Sequence, residues 1–343
     1  MVEKSKEKIN VAVDLGTANL LIYVEGRGTV FNEPSIIAID KATKKVVSVG
    51  HQAASLVGKV HDKVEVVRPL SGGVISDIDM IREIIVFTFE KLFVSSVSNV
   101  NRLLMCMPSE ITETEKQAII QLGKQLGIDD TRIDEEIKAS GIGTGIDIYT
   151  PLGNLVVDIG GGTTDIGVLA LGDVVVSKST KIAGDYFDKQ IIDYVKEVHK
   201  LEIGPQTAER IKVELSSVTG DYNVDDEGNV ITFKAMGRDL VTGLPKMVEV
   251  QPQEIRKLLL HALETIKTTL IATLEVTPPE LAGDLVDNGI HITGGGALIK
   301  GIKEYFESIV DVPVYISANP LNCVIEGTKK LLKINKDHYF GDY

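Results

Sequence analysis

Two aspartates stand directly before glycine turns: Asp14 in DLGTAN (14–19) and Asp158 in DIGGGTTDIG (158–167). A hydrated Mg²⁺ favours such a setting, because it takes few carboxylates, several waters and phosphate oxygens. Glycine permits close backbone approach, so a turn of this kind can aim several N–H groups at a phosphate. The hydroxyls of Thr17, Thr163 and Thr164 stand where they could donate to phosphate oxygens. A third cluster, Gly294-Gly295-Gly296 in TGGGALIKG (293–301), would let backbone approach a flat base or ribose. A lone DLGT is equally well a hairpin turn with no ligand. Two Asp-x-Gly hairpins facing each other across a cleft would make a nucleotide and metal site. Neither GxxxxGK[ST] nor GxGxxG with a downstream acid is present, which argues against a P-loop or a dinucleotide site.

Each glycine cluster follows a short apolar run: INVAV, NLVV and GIHI. Buried strands feeding turns explain that order. VAVDLGTANLLIYVEGRGTV and LVVDIGGGTTDIGVLALGDVVV share one plan: strand, Asp-x-Gly, Thr, strand, glycine turn, strand. The spacing between the copies is too long for a solenoid and suggests two related domains. Residues 110–127, 185–200 and 253–275 carry apolar positions at helical spacing, and Thr-Pro-Pro at 277–279 ends the last of them. In the second of these, Phe187, Ile191, Tyr194, Val195 and Val198 form the expected inner side. Residues 219–250 alternate β-type segments with turns and read as a small β insertion. The fold class is α/β, with sheets covered by helices.

Composition excludes several functions. The chain has 343 residues, 36 Lys and Arg against 49 Asp and Glu, and a net charge of −13. General nucleic-acid binding needs a basic face, so none is expected. Bulk charge also opposes adsorption to anionic membranes. Cys106 and Cys323 lie in apolar contexts and read as free buried thiols, without metal-ligand spacing. MVEKSKEKIN lacks the apolar core of a secretory signal, and no long uncharged stretch reads as a membrane span. A cytoplasmic protein is expected.

These motifs resemble the actin, sugar-kinase and heat-shock chaperone ATPase superfamily. Within it the chain is similar to the MreB family of bacterial actins over about residues 8–335. The residues that carry the likeness include DLGTANLLIYVEGRGTVFNEPSIIAID (14–40), RPLSGGVISD (68–77), VVDIGGGTTDIGVLALG (156–172), IAGDYFDKQIIDYV (182–195), IGPQTAERIKVE (203–214), TPPELAGDLVDNGIHITGGGALIKGI (277–302) and NPLNCVIEGTKKLL (319–332).

The resemblance implies an actin-like ATPase fold of two ribonuclease-H-like halves, each with a smaller subdomain. The first half is expected at 1–150, with its small subdomain near 30–75. The second is expected at 151–343, with a small subdomain near 205–255 and a C-terminal helix at 320–335 packing back on the first half. ATP or ADP with Mg²⁺ would lie between the halves, and copies of the chain would stack into filaments. By matching residues, Thr17, Ala18 and Asn19 fall in the first phosphate hairpin, and Gly160, Gly161, Gly162, Thr163 and Thr164 in the second. Gly184 and Asp185 fall at the nucleotide sugar or phosphates. Glu209 and Lys212 match adenosine contacts; the plain alternative is a surface ion pair between them. Gly294, Gly295, Gly296 and Ala297 match the adenine-side loop. Asp14 and Asp158 would hold the metal through water.

Hydrolysis needs a group that orients or deprotonates a water in line with the γ-phosphate. The family places a glutamate there, which Glu136 matches, with Thr163 as its partner. The chain departs from the family at Ile137, where proline is usual, at Lys138 and Ser140 in a stretch that is usually small and apolar, and at Asp165, where glutamate is usual. A slow ATPase is expected. The alternative within the superfamily is a sugar or acid kinase.

Two segments bear on membranes. The loop near 94–102 carries Ser98-Asn99 where relatives have bulky apolar residues, leaving Phe93, Val94, Val97 and Val100 as apolar surface. The C-terminal run TKKLLKINKDHYFGDY has Lys329, Lys330, Lys333 and Lys336 among Leu331, Leu332, Ile334, Tyr339 and Phe340, suited to peripheral contact with anionic lipid. The plain alternative is a last helix and a frayed tail.

Overall fold

The computed structural model describes residues 8–59, 62–93, 99–109 and 111–334. Two compact units emerge: unit 1 comprises 1–151, 169–174 and 321–343, and unit 2 comprises 152–168 and 175–320.

Unit 1 begins with a meander. Strands β1 (Ile9–Leu15), β2 (Asn19–Val24) and β3 (Gly28–Pro34) pair antiparallel in sequence. A side sheet follows, built from β4 (Ile37–Asp40), β5 (Val46–Val49) and β6 (Val64–Val67) with the short helix α1 (Gly50–Ala54). The small hairpin β7 (Leu70–Ser71) and β8 (Val74–Ile75) leads to α2 (Ile78–Leu92), whose N-terminus is capped by the Asp77 side chain. The chain then adds β9 (Val100–Met107) beside β1, α3 (Glu113–Gln125), β10 (Asp130–Glu135) and α4 (Glu136–Thr144). The finished sheet has the order β10-β9-β1-β2-β3, with the β10-β9-β1 pairs parallel. Val11, Val13, Leu103 and Met105 on its strands are fully buried against Ile81, Ile85 and Phe89 of α2.

Unit 2 repeats the plan. Strands β11 (Asn154–Ile159), β12 (Thr164–Ala170) and β13 (Asp173–Thr180) open it, the β12–β13 turn itself grouping with unit 1. Helix α5 (Gly184–Val198), β14 (Leu201–Glu202) and α6 (Pro205–Leu215) come next. Strands β15 (Phe233–Asp239) and β16 (Pro245–Val250) join β14 in a small antiparallel sheet. Then follow α7 (Pro252–Leu274), α8 (Pro279–Asn288), β17 (Ile290–Thr293), α9 (Ile302–Glu307) and β18 (Val314–Ile316). The order β13-β12-β11-β17-β18 matches that of the first sheet: a three-stranded meander extended by two strands on the side of its first.

The last helix, α10 (Cys323–Leu331), belongs to unit 1 and lies on α4. Glycines allow the close approach. A Cβ on Gly143 would sit 1.9 Å from the Cys323 carbonyl oxygen, and one on Gly327 would sit 1.8 Å from that of Ala139. Lys330 Nζ donates to the Ile142 carbonyl at 2.9 Å, and the Arg102 and Arg132 guanidiniums donate to the Leu332 and Ile334 carbonyls at 3.0 Å. These side chains add partners to carbonyls at and just beyond the C-terminal ends of α4 and α10.

Several apolar residues change places relative to the sequence reading. Phe93 and Val100 are core residues, 8% and 4% exposed, and Phe93 meets Phe89 edge-on at 5.3 Å. They offer no membrane surface; Val94, Val97 and Ser98 lie outside the described residues. Leu331 and Leu332 are likewise buried, and Lys329 pairs with Glu326 and lies over the Tyr23 ring. Residues 335–343 of the C-terminal run, including Lys336, Tyr339 and Phe340, lie outside the described residues. Val198, placed on the inner side of its helix by periodicity, is 55% exposed at the helix end. Both cysteines are free and buried. Among the described residues no helix is long and apolar enough to cross a membrane.

Candidate functional site

In unit 2, Asp158 sits near the carboxyl end of β11, in register with Thr293 on the parallel β17. That end of parallel strands is where open α/β sheets place ligands. The turn that follows is closed by Gly160 N–H donating to the Thr163 carbonyl at 2.9 Å. The N-terminus of α5 then binds the turn from one side: Gly184 N–H donates to the Gly160 carbonyl at 3.1 Å, and Asp185 N–H to the Gly161 carbonyl at 2.7 Å. The C=O and N–H of one trans peptide point in opposite directions. The N–H groups of Gly161 and Gly162 therefore point away from α5, as an anion cradle requires.

Thr164 takes a different part from the one expected. It is fully buried, and its hydroxyl donates to the Ile182 carbonyl at 2.7 Å. This proton ties the hairpin to the approach of α5 and is not offered to a phosphate. Thr163 is 7% exposed.

Lys212 joins a third element. Its ammonium pairs with Asp188 at 2.9 Å and donates to the Gly184 carbonyl at 3.3 Å. It is therefore not the partner of Glu209, which is exposed on α6. Burial raises the Asp188 pKa to about 6; the Lys212 charge pulls it down, and Glu209 and Asp185 push it up further. Asp185, Asp188, Glu209 and Lys212 thus form one charged group beside the hairpin. Asp188 was not singled out by sequence, since its ion pair spans two helices that local spacing does not relate.

The third glycine cluster lies against the same strand end. Gly294 adopts φ +79°, and a Cβ there would stand 2.4 Å from both Asp158 Oδ1 and the Ile159 carbonyl oxygen. Residues Gly295–Leu298 form a short 3₁₀ turn, with Gly295 exposed and Ala297 buried. Unit 2 therefore gathers Asp158, 160–164, 184–185, Lys212 and 294–297 at one sheet end.

Unit 1 carries the smaller set. Asp14 near the end of β1, Cys106 on β9 and Asp134 on β10 stand side by side in register. Glu136 opens α4 immediately beyond β10, half-buried, where the helix dipole favours a carboxylate. Burial pushes the Cys106 thiol well up, and the charges of Asp134, Asp14 and Glu136 add to it, which places three carboxylates around one buried thiol. In the first hairpin the Ser35 hydroxyl donates to the Gly16 carbonyl at 2.6 Å and Ser35 N–H to the Ala18 carbonyl at 2.9 Å. By the same peptide geometry the N–H groups of Thr17 and Asn19 point away from Ser35. Each hairpin is thus pinned through its carbonyls. Ser35 was missed by sequence because a serine between two strands has no local signature.

The family model for MreB/Mbl protein matches residues 8–339. The chain belongs to the MreB/Mbl family. It is 42% identical over 324 residues to the cell shape-determining protein Mbl of Bacillus cereus, covering 94% of this chain and 96% of the relative. It is 37% identical over 334 residues to the cell shape-determining protein MreB of Escherichia coli K12, covering 96% and 94%. The crystal structure of MreB5 of Spiroplasma citri bound to AMPPNP superposes with a TM-score of 0.88 at 41% identity, covering 94% of this chain and 96% of the other. The actin-like architecture is shared with these MreB/Mbl proteins along nearly the whole chain.

Proposed function

We propose that this MreB/Mbl protein is an ATP-dependent, filament-forming actin of the bacterial cytoskeleton that supports cell shape. The observation that carries the reading is the duplicated strand end. Each unit carries a buried aspartate one residue before the end of the first strand of its meander, and each follows that strand with a hairpin whose amides are turned outward. The names of the matched relatives, and the AMPPNP held by the MreB5 structure, support the same reading.

In this reading Gly160, Gly161, Gly162 and Thr163 hold phosphates, with Thr17, Ala18 and Asn19 as the counterpart hairpin. Gly184, Asp185, Glu209 and Lys212 meet the nucleoside, and Gly294 to Ala297 admit the base. Thr164 acts through its backbone. Asp14 and Asp158, 6% and 8% exposed, offer hard oxygen donors that suit Mg²⁺ held mainly through water. The ion would neutralise charge on the phosphate oxygens. Glu136 orients or deprotonates the attacking water, with Thr163 as its partner.

Family membership supports self-assembly. Copies of a chain with net charge −13 repel one another, so assembly should strengthen as salt and Mg²⁺ screen that charge. A cytoplasmic location fits this role, and peripheral membrane contact through the C-terminal run is the secondary proposal.

A kinase of the same superfamily would need a small-molecule acceptor. The purified chain with ATP and Mg²⁺ alone is expected to release phosphate slowly, at a rate unchanged by adding sugars or carboxylic acids. Release only in the presence of an acceptor would favour the kinase.

A further inference from the structure

Helix α4 is buried on every side from Ile137 to Ile142, and one of those residues is a lysine. Lys138 is 4% exposed. Its ammonium lies 3.7 Å from Asp134, four residues earlier on β10 and with a side chain only 9% exposed, and 3.9 Å from Asp173, whose side chain is 83% exposed. The exposed partner is screened by water and contributes little. Asp134 is the anchor. It sits on β10 in register with Cys106, and its Oδ1 accepts Glu135 N–H at 2.9 Å.

A buried ion pair is a poor source of stability, because desolvation offsets the attraction and apolar residues of equal size often do as well. What such a pair supplies is fixed geometry. Asp134 and Lys138 grip the two ends of a five-residue stretch whose centre is Glu136. One end is on the sheet that carries Asp14, and the other is within the first turn of the helix.

We propose that Lys138 and Asp134 are positioning residues that clamp the first turn of α4 and so fix the placement of Glu136. The inference rests on the role given to Glu136 above. Neither residue is among those assigned above to the nucleotide, so the clamp should govern the rate of the chemical step and not the affinity for ATP. Misplacement of a catalytic group by a fraction of an ångström is enough to slow a reaction about tenfold or more.

The test uses the full chain and four variants: E136A, K138M, D134N and D134N/K138M. Phosphate release gives kcat and KM, a fluorescent ATP analogue gives Kd, and thermal unfolding gives Tm. K138M is expected to lower kcat about tenfold, with KM and Kd within about twofold. D134N/K138M removes the stranded charge, so its Tm should return towards wild type while kcat stays low. A double variant that regains kcat together with Tm would make the pair merely structural and overturn the proposal. So would a K138M protein with normal kcat. If K138M fails to fold, the charge-free double variant decides alone. E136A separates the two layers: slow E136A with fast K138M sinks the clamp and spares Glu136, whereas normal turnover in E136A overturns both.

Discussion

Replacing Glu136 with alanine is expected to slow ATP turnover about a hundredfold while leaving nucleotide affinity within about twofold. The reason lies in when its interaction is made. A carboxylate that orients and deprotonates water acts on the transition state, and the ground-state complex owes it little. Glu136 occupies the first position of α4, where the positive end of the helix dipole favours a carboxylate. Glu136→Gln separates the two duties. Glutamine can still hold a water by hydrogen bonds but cannot take its proton, so a turnover between those of wild type and alanine assigns part of the effect to orientation. Stopped-flow phosphate release, beside equilibrium titration with a fluorescent ATP analogue, makes the measurement. Unchanged turnover in the alanine variant would remove Glu136 from the mechanism.

The second large effect is expected at Gly294. Valine there should abolish measurable nucleotide binding. The position has φ +79°, which a β-branched residue adopts only under strain of about 1–3 kcal/mol. Its Cβ would also stand 2.4 Å from Asp158 Oδ1 and from the Ile159 carbonyl oxygen. Neither neighbour can yield freely, because β11 is locked in register to β17 at Asp158 and Thr293. The loop must move instead, and it carries the residues assigned to the base. Gly283→Ala is the matched control. It lies exposed on α8 with nothing within 4 Å of its Cβ position, so alanine should leave binding intact and slightly favour the helix. Equal binding by both variants would show that the 294–297 loop does not meet the nucleotide.

The parts of this molecule that could be read from sequence are those set by local pattern. Asp-x-Gly turns after β-branched runs located both hairpins and both aspartates. Periodicity located α3, α5 and α7, and the likeness in motifs supplied the family. What could not be read depends on contacts between distant segments. Nothing local shows that the Thr164 hydroxyl is taken by Ile182, or that Lys212 turns from Glu209 on its own helix to Asp188 on another. Phe93 and Val100 flank a loop and look exposed in sequence, yet tertiary packing buries both. Lys138 is the instructive case. Its charge looked misplaced in an apolar helix, and the i, i+4 spacing to Asp134 was the available signal. Only burial distinguishes that pair from an ordinary solvated one.

The central claim is that nucleotide drives this chain to assemble with itself. Negative-stain electron microscopy of the purified full chain, with ATP, Mg²⁺ and salt varied over a wide range, tests it most directly. The account predicts protofilaments above a threshold concentration, more abundant as salt or Mg²⁺ screens the acidic surface and absent without nucleotide. Monomers persisting at high concentration under every salt and nucleotide condition would contradict it.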